Sequence, residues 1–169
     1  MERKVTRLHK GYKFALFAED SVDVNVFRPD FDDSAWEDVR VPHDWAASGE
    51  FKEDNDLSYN KVLQDGIVTD IKHSGRTGAL PTLGTGVYRL NVEIPESARG
   101  NAIFLEFDGV MWESDIYVNG EKVYHNHFGY RSFNVDITPY TVGFFAYPQF
   151  DVTVHLPVSF QTPLQTAFQ

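Results

Sequence analysis

The residues best suited to chemistry stand together at Val41-Pro42-His43-Asp44-Trp45, which supplies an imidazole, a carboxylate and an indole in consecutive positions. A carboxylate accepts hydrogen bonds from sugar hydroxyls, and an indole stacks on the apolar face of a pyranose ring, so the set suits a carbohydrate. The competing reading makes Asp44 a turn cap and Trp45 a plug of the core. Two other groups invite a metal. His125 and His127 share one face of a strand, but spacing supplies no third ligand, and an exposed strand end is the expected role. Glu53-Asp54-Asn55-Asp56 offers oxygen ligands without the spacing of an EF-hand loop, and reads as a solvated loop. Neither a metal nor a cofactor is expected.

Other chemistries lack their residues. The chain has no Cys, which excludes disulfides, thiolate metal sites and Cys nucleophiles. It has no Gly-x-Ser-x-Gly elbow. Gly75, Gly78, Gly84 and Gly86 are not followed by Gly-Lys-Ser/Thr and read as turn glycines. Asp32 and Asp33 are adjacent, an arrangement common in turns rather than that of a glycosidase acid–base pair. Lys and Arg number 15 against 25 Asp and Glu, a net charge of −10 that argues against nucleic acid or anionic membrane as partner. No apolar run is long enough to span a membrane. No apolar stretch follows Met1-Glu2-Arg3-Lys4, so no signal peptide is expected; a soluble protein is expected, cytoplasmic or exported after loss of a leader. A chain of 169 residues is also too short for a (β/α)₈ barrel, which takes about 250.

The elements that must position these residues are strands. Phe150, Val152, Val154 and Leu156 alternate with polar residues, as do Phe133, Val135 and Ile137, and Tyr88, Leu90, Val92 and Ile94. In the last run Arg89, Asn91 and Glu93 take the outward face. Ile103, Leu105 and Phe107 form another inward face. Asn119-Gly120 supplies the positive φ angles of a type I′ hairpin, placing Val118 opposite Glu121 and Ile116 opposite Val123. Phe31 to Trp36 suits one short turn with an Asp cap. Strands are expected at 12–17, 22–28, 87–94, 102–108, 112–118, 121–125, 132–137 and 150–156. That set predicts an all-β fold, a two-sheet β-sandwich or jelly roll. A polar excursion over about 46–86 interrupts it, with room for a hairpin at Asp65-Gly66. The sandwich domain is placed at 1–156, followed by a tail at 157–169.

Several motifs occur in a fixed order: Phe31-Asp32-Asp33-Ser34-Ala35-Trp36, Val41-Pro42-His43-Asp44-Trp45, Gly75-Arg76-Thr77-Gly78-Ala79-Leu80-Pro81 and Gly84-x-Gly86-Val87-Tyr88-Arg89. Then come Phe107-Asp108-Gly109-Val110, Val118-Asn119-Gly120, Phe128-Gly129-Tyr130-Arg131-Ser132-Phe133 and Asp136-Ile137-Thr138-Pro139-Tyr140. Over about residues 7–156 this succession resembles the N-terminal sugar-binding, jelly-roll domain of glycoside hydrolase family 2, notably its β-galactosidase-like bacterial members. The resemblance departs after Tyr140, where 141–148 is unusually aromatic and 160–169 has no counterpart.

The resemblance implies a galactose-binding-domain-like sandwich that is non-catalytic. In complete enzymes an immunoglobulin-like domain and a catalytic barrel follow, and the barrel carries both glutamates of the retaining mechanism. These 169 residues alone are therefore expected to hydrolyse nothing. By position, the loop from Pro42 through Asp56 corresponds to the segment that helps shape the sugar pocket. Its site residues would be Asp44, His43, Asn55, Trp45 and Asp56, and the partner a carbohydrate, a β-galactoside. An independent carbohydrate-binding module and a purely structural interface domain are the alternatives.

Overall fold

The computed structural model describes residues 3–18, 21–45, 49, 57–74, 84–110, 113–141, 149–156 and 165–168. Its strands are β1 (Thr6–Arg7), β2 (Tyr12–Phe17), β3 (Glu37–Val39), β4 (Leu57–Gln64), β5 (Ile67–Ser74) and β6 (Thr85–Glu93). They continue as β7 (Phe104–Gly109), β8 (Ser114–Val118), β9 (Glu121–Asn126), β10 (Phe133–Asp136), β11 (Gln149–Leu156) and β12 (Gln165–Phe168). One helical turn, α1 (Thr138–Thr141), sits between β10 and β11. No helix among the described residues is long and apolar enough to cross a membrane.

Two antiparallel sheets face each other. The larger has six strands in the order β3-β2-β6-β11-β8-β9, and the smaller four in the order β1-β12-β7-β10. The core between them takes Tyr12, Phe14, Tyr88, Leu90, Ile116, Val118, Val152 and Val154 from the larger sheet. The smaller contributes Leu105, Phe107, Phe133 and Val135. Apart from Tyr12 and Phe14, these are the inward positions that the period-two runs and the Asn119-Gly120 hairpin predict. The excursion hairpin also forms: β4 and β5 pair through Asp65-Gly66, both at positive φ.

A second apolar cluster covers the opposite face of the large sheet. Val26, Phe27 and Val87 are its buried members, with Phe17, Val22, Phe31, Trp36 and Tyr117 packed on them. The segment 22–28, expected as a strand, here forms a 3₁₀ turn over Val24–Phe27. The Asp23 carboxylate accepts from the Asn25 amide at 2.9 Å, a local bond that competes with strand pairing. The turn leaves Val24 exposed and brings Phe27 flat onto Tyr117, ring centroids 4.1 Å apart. Phe31 to Trp36 forms the expected turn, with Asp32 accepting from the Ser34 amide at 3.0 Å.

With both faces covered, β6 is buried continuously from Thr85 to Leu90. Arg89, expected outward, is only 3% exposed. Its Nε donates to Asp33 at 2.9 Å, and its Nη1 donates to the Val26 carbonyl and, at 3.2 Å, to the Arg28 carbonyl. The guanidinium also lies over the Phe31 ring at 5.6 Å. A buried charge is tolerated when its donors are matched in this way.

The β8–β9 hairpin turns through Asn119 (φ 52°) and Gly120 (φ 84°), as the type I′ turn requires. Val118 faces Glu121 and Tyr117 faces Lys122 as the turn dictates. A bulge then moves Ile116 opposite Tyr124 rather than Val123. A Cβ at Gly120 would meet the Phe27 carbonyl oxygen and Pro29 Cδ, each at 3.2 Å. Gly120→Val should therefore lose about 1 kcal/mol or more, lowering Tm by about 3 °C or more. A thermal melt matching the parent would contradict this turn.

Candidate functional site

The corner at 41–45 grows directly out of the sandwich. β3 lies against β2, and the Val41 amide then donates to the His9 carbonyl at 3.2 Å. Val41 is buried in the core, and the peptide joining it to Pro42 is cis. His43 follows with its Nδ1 2.8 Å from the Tyr88 hydroxyl. Its ring meets Phe14 edge-on at 4.8 Å and Tyr88 at 5.6 Å. Trp45 stacks on the far part of the same platform, 5.9 Å from Phe14 with planes 19° apart.

Gly86 makes room for that indole. A Cβ at Gly86 would stand 2.8 Å from Trp45 Cζ3 and 3.2 Å from Phe14 Cε2. Gly86 is thus a strand residue chosen for close approach, not the turn glycine that its Gly-rich surroundings suggest. Together, Phe14, Gly86 and Tyr88 form a floor on β2 and β6 for both rings. His43, Asp44 and Trp45 are all half-buried.

Burial pushes the His43 pKa down, opposed by the carboxylates of Glu37 and Asp44. Burial, with Asp44 and Glu37 adding to it, pushes the Tyr88 phenol far up, so it stays protonated. The geometry fits Tyr88 O–H donating to Nδ1 of a neutral imidazole.

Of the five residues singled out in the sequence, His43, Asp44 and Trp45 are brought together by this corner. Asn55 and Asp56 lie outside the described residues, as does the rest of the Glu53–Asp56 run. His43 and Trp45 do not stand clear of the sandwich; both lean on it, Trp45 against the core cluster as a plug would. The supporting residues Phe14, Tyr88 and Gly86 could not be found by motif. Only the pairing of Phe14 with Tyr88 and of Leu16 with Gly86 brings β2 and β6 into one floor.

A second cluster sits on the β8–β9 hairpin. His125 Nδ1 is 2.5 Å from Asp115 Oδ1, and its Nε2 is 3.0 Å from His127 Nδ1. Glu113 is the third ligand-type side chain that spacing within the His pair did not supply. Burial raises the Asp115 carboxyl, but hydrogen bonds from Lys122 and His125 outweigh it and hold the group below its ordinary value.

Residues 5–156 match the family described as glycosyl hydrolases family 2, sugar binding domain. The chain belongs to that family. The sugar-binding domain is 32% identical over 113 residues to a β-galactosidase of Bacteroides ovatus, covering 67% of this chain and 11% of that protein. It is 28% identical over 110 residues to a β-glucuronidase of Formosa agariphila, covering 65% of this chain and 10% of the relative. Its fold matches a crystal structure of a β-glycosidase from Bacteroides vulgatus with a TM-score of 0.70, at 22% identity, over 98% of this chain and 20% of the other. The all-β, two-sheet sandwich expected from the sequence is thus the fold observed. The chain spans about a tenth of the length of the curated relatives it matches.

The depressed pKa of His43 ties stability to pH. Above an ordinary imidazole value of 6.5 the ring is neutral in both folded and unfolded chains. Below it the unfolded chain takes up the proton first, so stability falls as pH drops through the folded pKa. Tm should decline from about pH 7.5 to about pH 5, and His43→Gln should flatten part of that decline. Equal slopes in parent and variant would show that His43 is not held neutral.

Proposed function

We propose that this domain forms one wall of the sugar pocket of a larger retaining glycoside hydrolase, whose two catalytic glutamates lie on a barrel outside these residues. Asp44 accepts from a sugar hydroxyl, and His43 and Trp45 hold the corner while offering a ring edge and face. By the family resemblance, Asn55 and Asp56 would also serve the sugar. The observation that supports this reading is the corner itself: an imidazole and an indole fixed on one aromatic floor, with the half-buried Asp44 carboxylate between them in the chain, in a domain of a sugar-binding family.

Among substrates, a neutral β-galactoside fits better than a β-glucuronide. The corner carries Asp44 with Glu37 acting on the same imidazole, and the chain as a whole is strongly acidic. An anionic uronate would be repelled there. A free-standing carbohydrate-binding module is the second reading, favoured by the exposed rings of Phe128 and Tyr130, 5.8 Å apart.

The test is Asp44→Ala in the whole protein, assayed on nitrophenyl β-galactoside and β-glucuronide. The expected result is a fall of about tenfold or more in kcat/KM on the galactoside, about 1.4 kcal/mol of transition-state binding, with Tm nearly unchanged. Unchanged kinetics with a large loss of Tm would make Asp44 a structural cap and end the pocket-wall reading. Galactose binding to the 169-residue chain that Phe128→Ala and Tyr130→Ala abolish, and Asp44→Ala does not, would favour the module.

A further inference from the structure

We propose that Glu113, His125 and His127 form a surface site for a divalent transition-metal ion of the zinc class, clipping the open end of the β8–β9 hairpin. The placement follows from antiparallel pairing. Ser114 faces Asn126 and Asp115 faces His125 across the two strands. Continuing that register outward by one residue sets Glu113 beside His127. With a side-chain period of two, positions 113 and 115 on one strand and 125 and 127 on the other all emerge on the same face. Ser114 and Asn126, between them, are buried on the opposite face.

The ligand atoms are already close. One donor atom from each of Glu113, His125 and His127 lies within 4.8 Å of the others. The two imidazole nitrogens are 3.0 Å apart. Nitrogens bound to one tetrahedral zinc at about 2.0–2.1 Å stand about 3.4 Å apart, so the pair needs to open by only a few tenths of an ångström. Glu113 and His127 are exposed and free to make the remaining adjustment.

Asp115 supplies the outer support that such a site requires. It accepts from His125 Nδ1 at 2.5 Å, which fixes the proton on that nitrogen and turns the Nε2 lone pair toward His127. Lys122, 2.7 Å from the same carboxylate oxygen, pairs with the Asp115 charge. Two imidazoles and one carboxylate select zinc, copper or nickel over magnesium and calcium, which prefer all-oxygen sites. The three ligands leave a fourth position for water. The ion would join the last residue before β8 to the first after β9, at the end of the hairpin opposite the Asn119-Gly120 turn. That junction leads directly into the exposed Phe128 and Tyr130 rings.

The experiment titrates zinc chloride into the untagged 169-residue chain by calorimetry, with cobalt chloride in parallel for its visible spectrum. The expected result is one zinc per chain at micromolar affinity, a rise in Tm with zinc, and the intense visible bands of four-coordinate cobalt. Glu113→Gln and His127→Gln, both at exposed positions, should each weaken binding by about tenfold or more while melting like the parent without metal. Asp115→Asn should weaken it by about 10–100-fold through the orientation of His125. No saturable binding up to millimolar zinc would overturn the site. Binding that survives the double variant His125→Gln, His127→Gln would also overturn it, by placing the metal elsewhere.

Discussion

A guanidinium that is 3% exposed in the middle of a sheet must find a partner for its charge, and much of this fold is arranged around that demand. Removing an ion from water costs several kcal/mol even after relaxation, so an unmatched Arg89 would be incompatible with a stable domain. Its donors are met by the Asp33 carboxylate and the carbonyls of Val26 and Arg28, all from the segment laid over the outside of the large sheet. The same segment brings Phe27 onto Tyr117 and Phe31 under the guanidinium. The charge and the apolar cluster are therefore satisfied together by one segment.

The next residue along the chain toward the N-terminus does the corresponding work on the inner face. Tyr88 points into the core beside Phe14, and its hydroxyl meets His43. One strand thus holds the outer layer through Arg89 and the candidate pocket corner through Tyr88, with Gly86 opening the space for Trp45. This explains why a half-buried, polar corner can be held in place without a helix or a disulfide. A domain that contributes a wall to a pocket has to offer its polar groups at a fixed height above a rigid floor. The floor of aromatic rings on β2 and β6 meets that requirement.

Much of this was legible in the sequence where the information is local. Period-two runs located the core of both sheets, and Asn119-Gly120 and Asp65-Gly66 located two hairpins, because alternation and positive φ act over a few residues. The readings that failed turned on side-chain bonds, near or distant, that alternation does not report. Val22, Val24 and Val26 alternate like a strand, yet the Asp23 side chain captures the Asn25 amide and turns the chain. Arg89 looks like an outward residue until Asp33, 56 positions earlier, is placed beside it. Glu113 is invisible as a companion of His127 until the β8–β9 register is known. In the candidate site, the reactive-looking triplet His43-Asp44-Trp45 could be picked out by residue type. Its floor could not, since Phe14, Gly86 and Tyr88 are ordinary strand residues until two strands are paired.

Arg89 fastens the outer layer to the strand that also carries the site. Hydrogen exchange measured by mass spectrometry on Arg89→Met reports on that attachment segment by segment. In that variant, amides over residues 24–36 should lose protection well before those of β7 and β10, with stability down by about 3 kcal/mol or more. Unchanged protection over 24–36, with stability within about 0.5 kcal/mol of the parent, would contradict it.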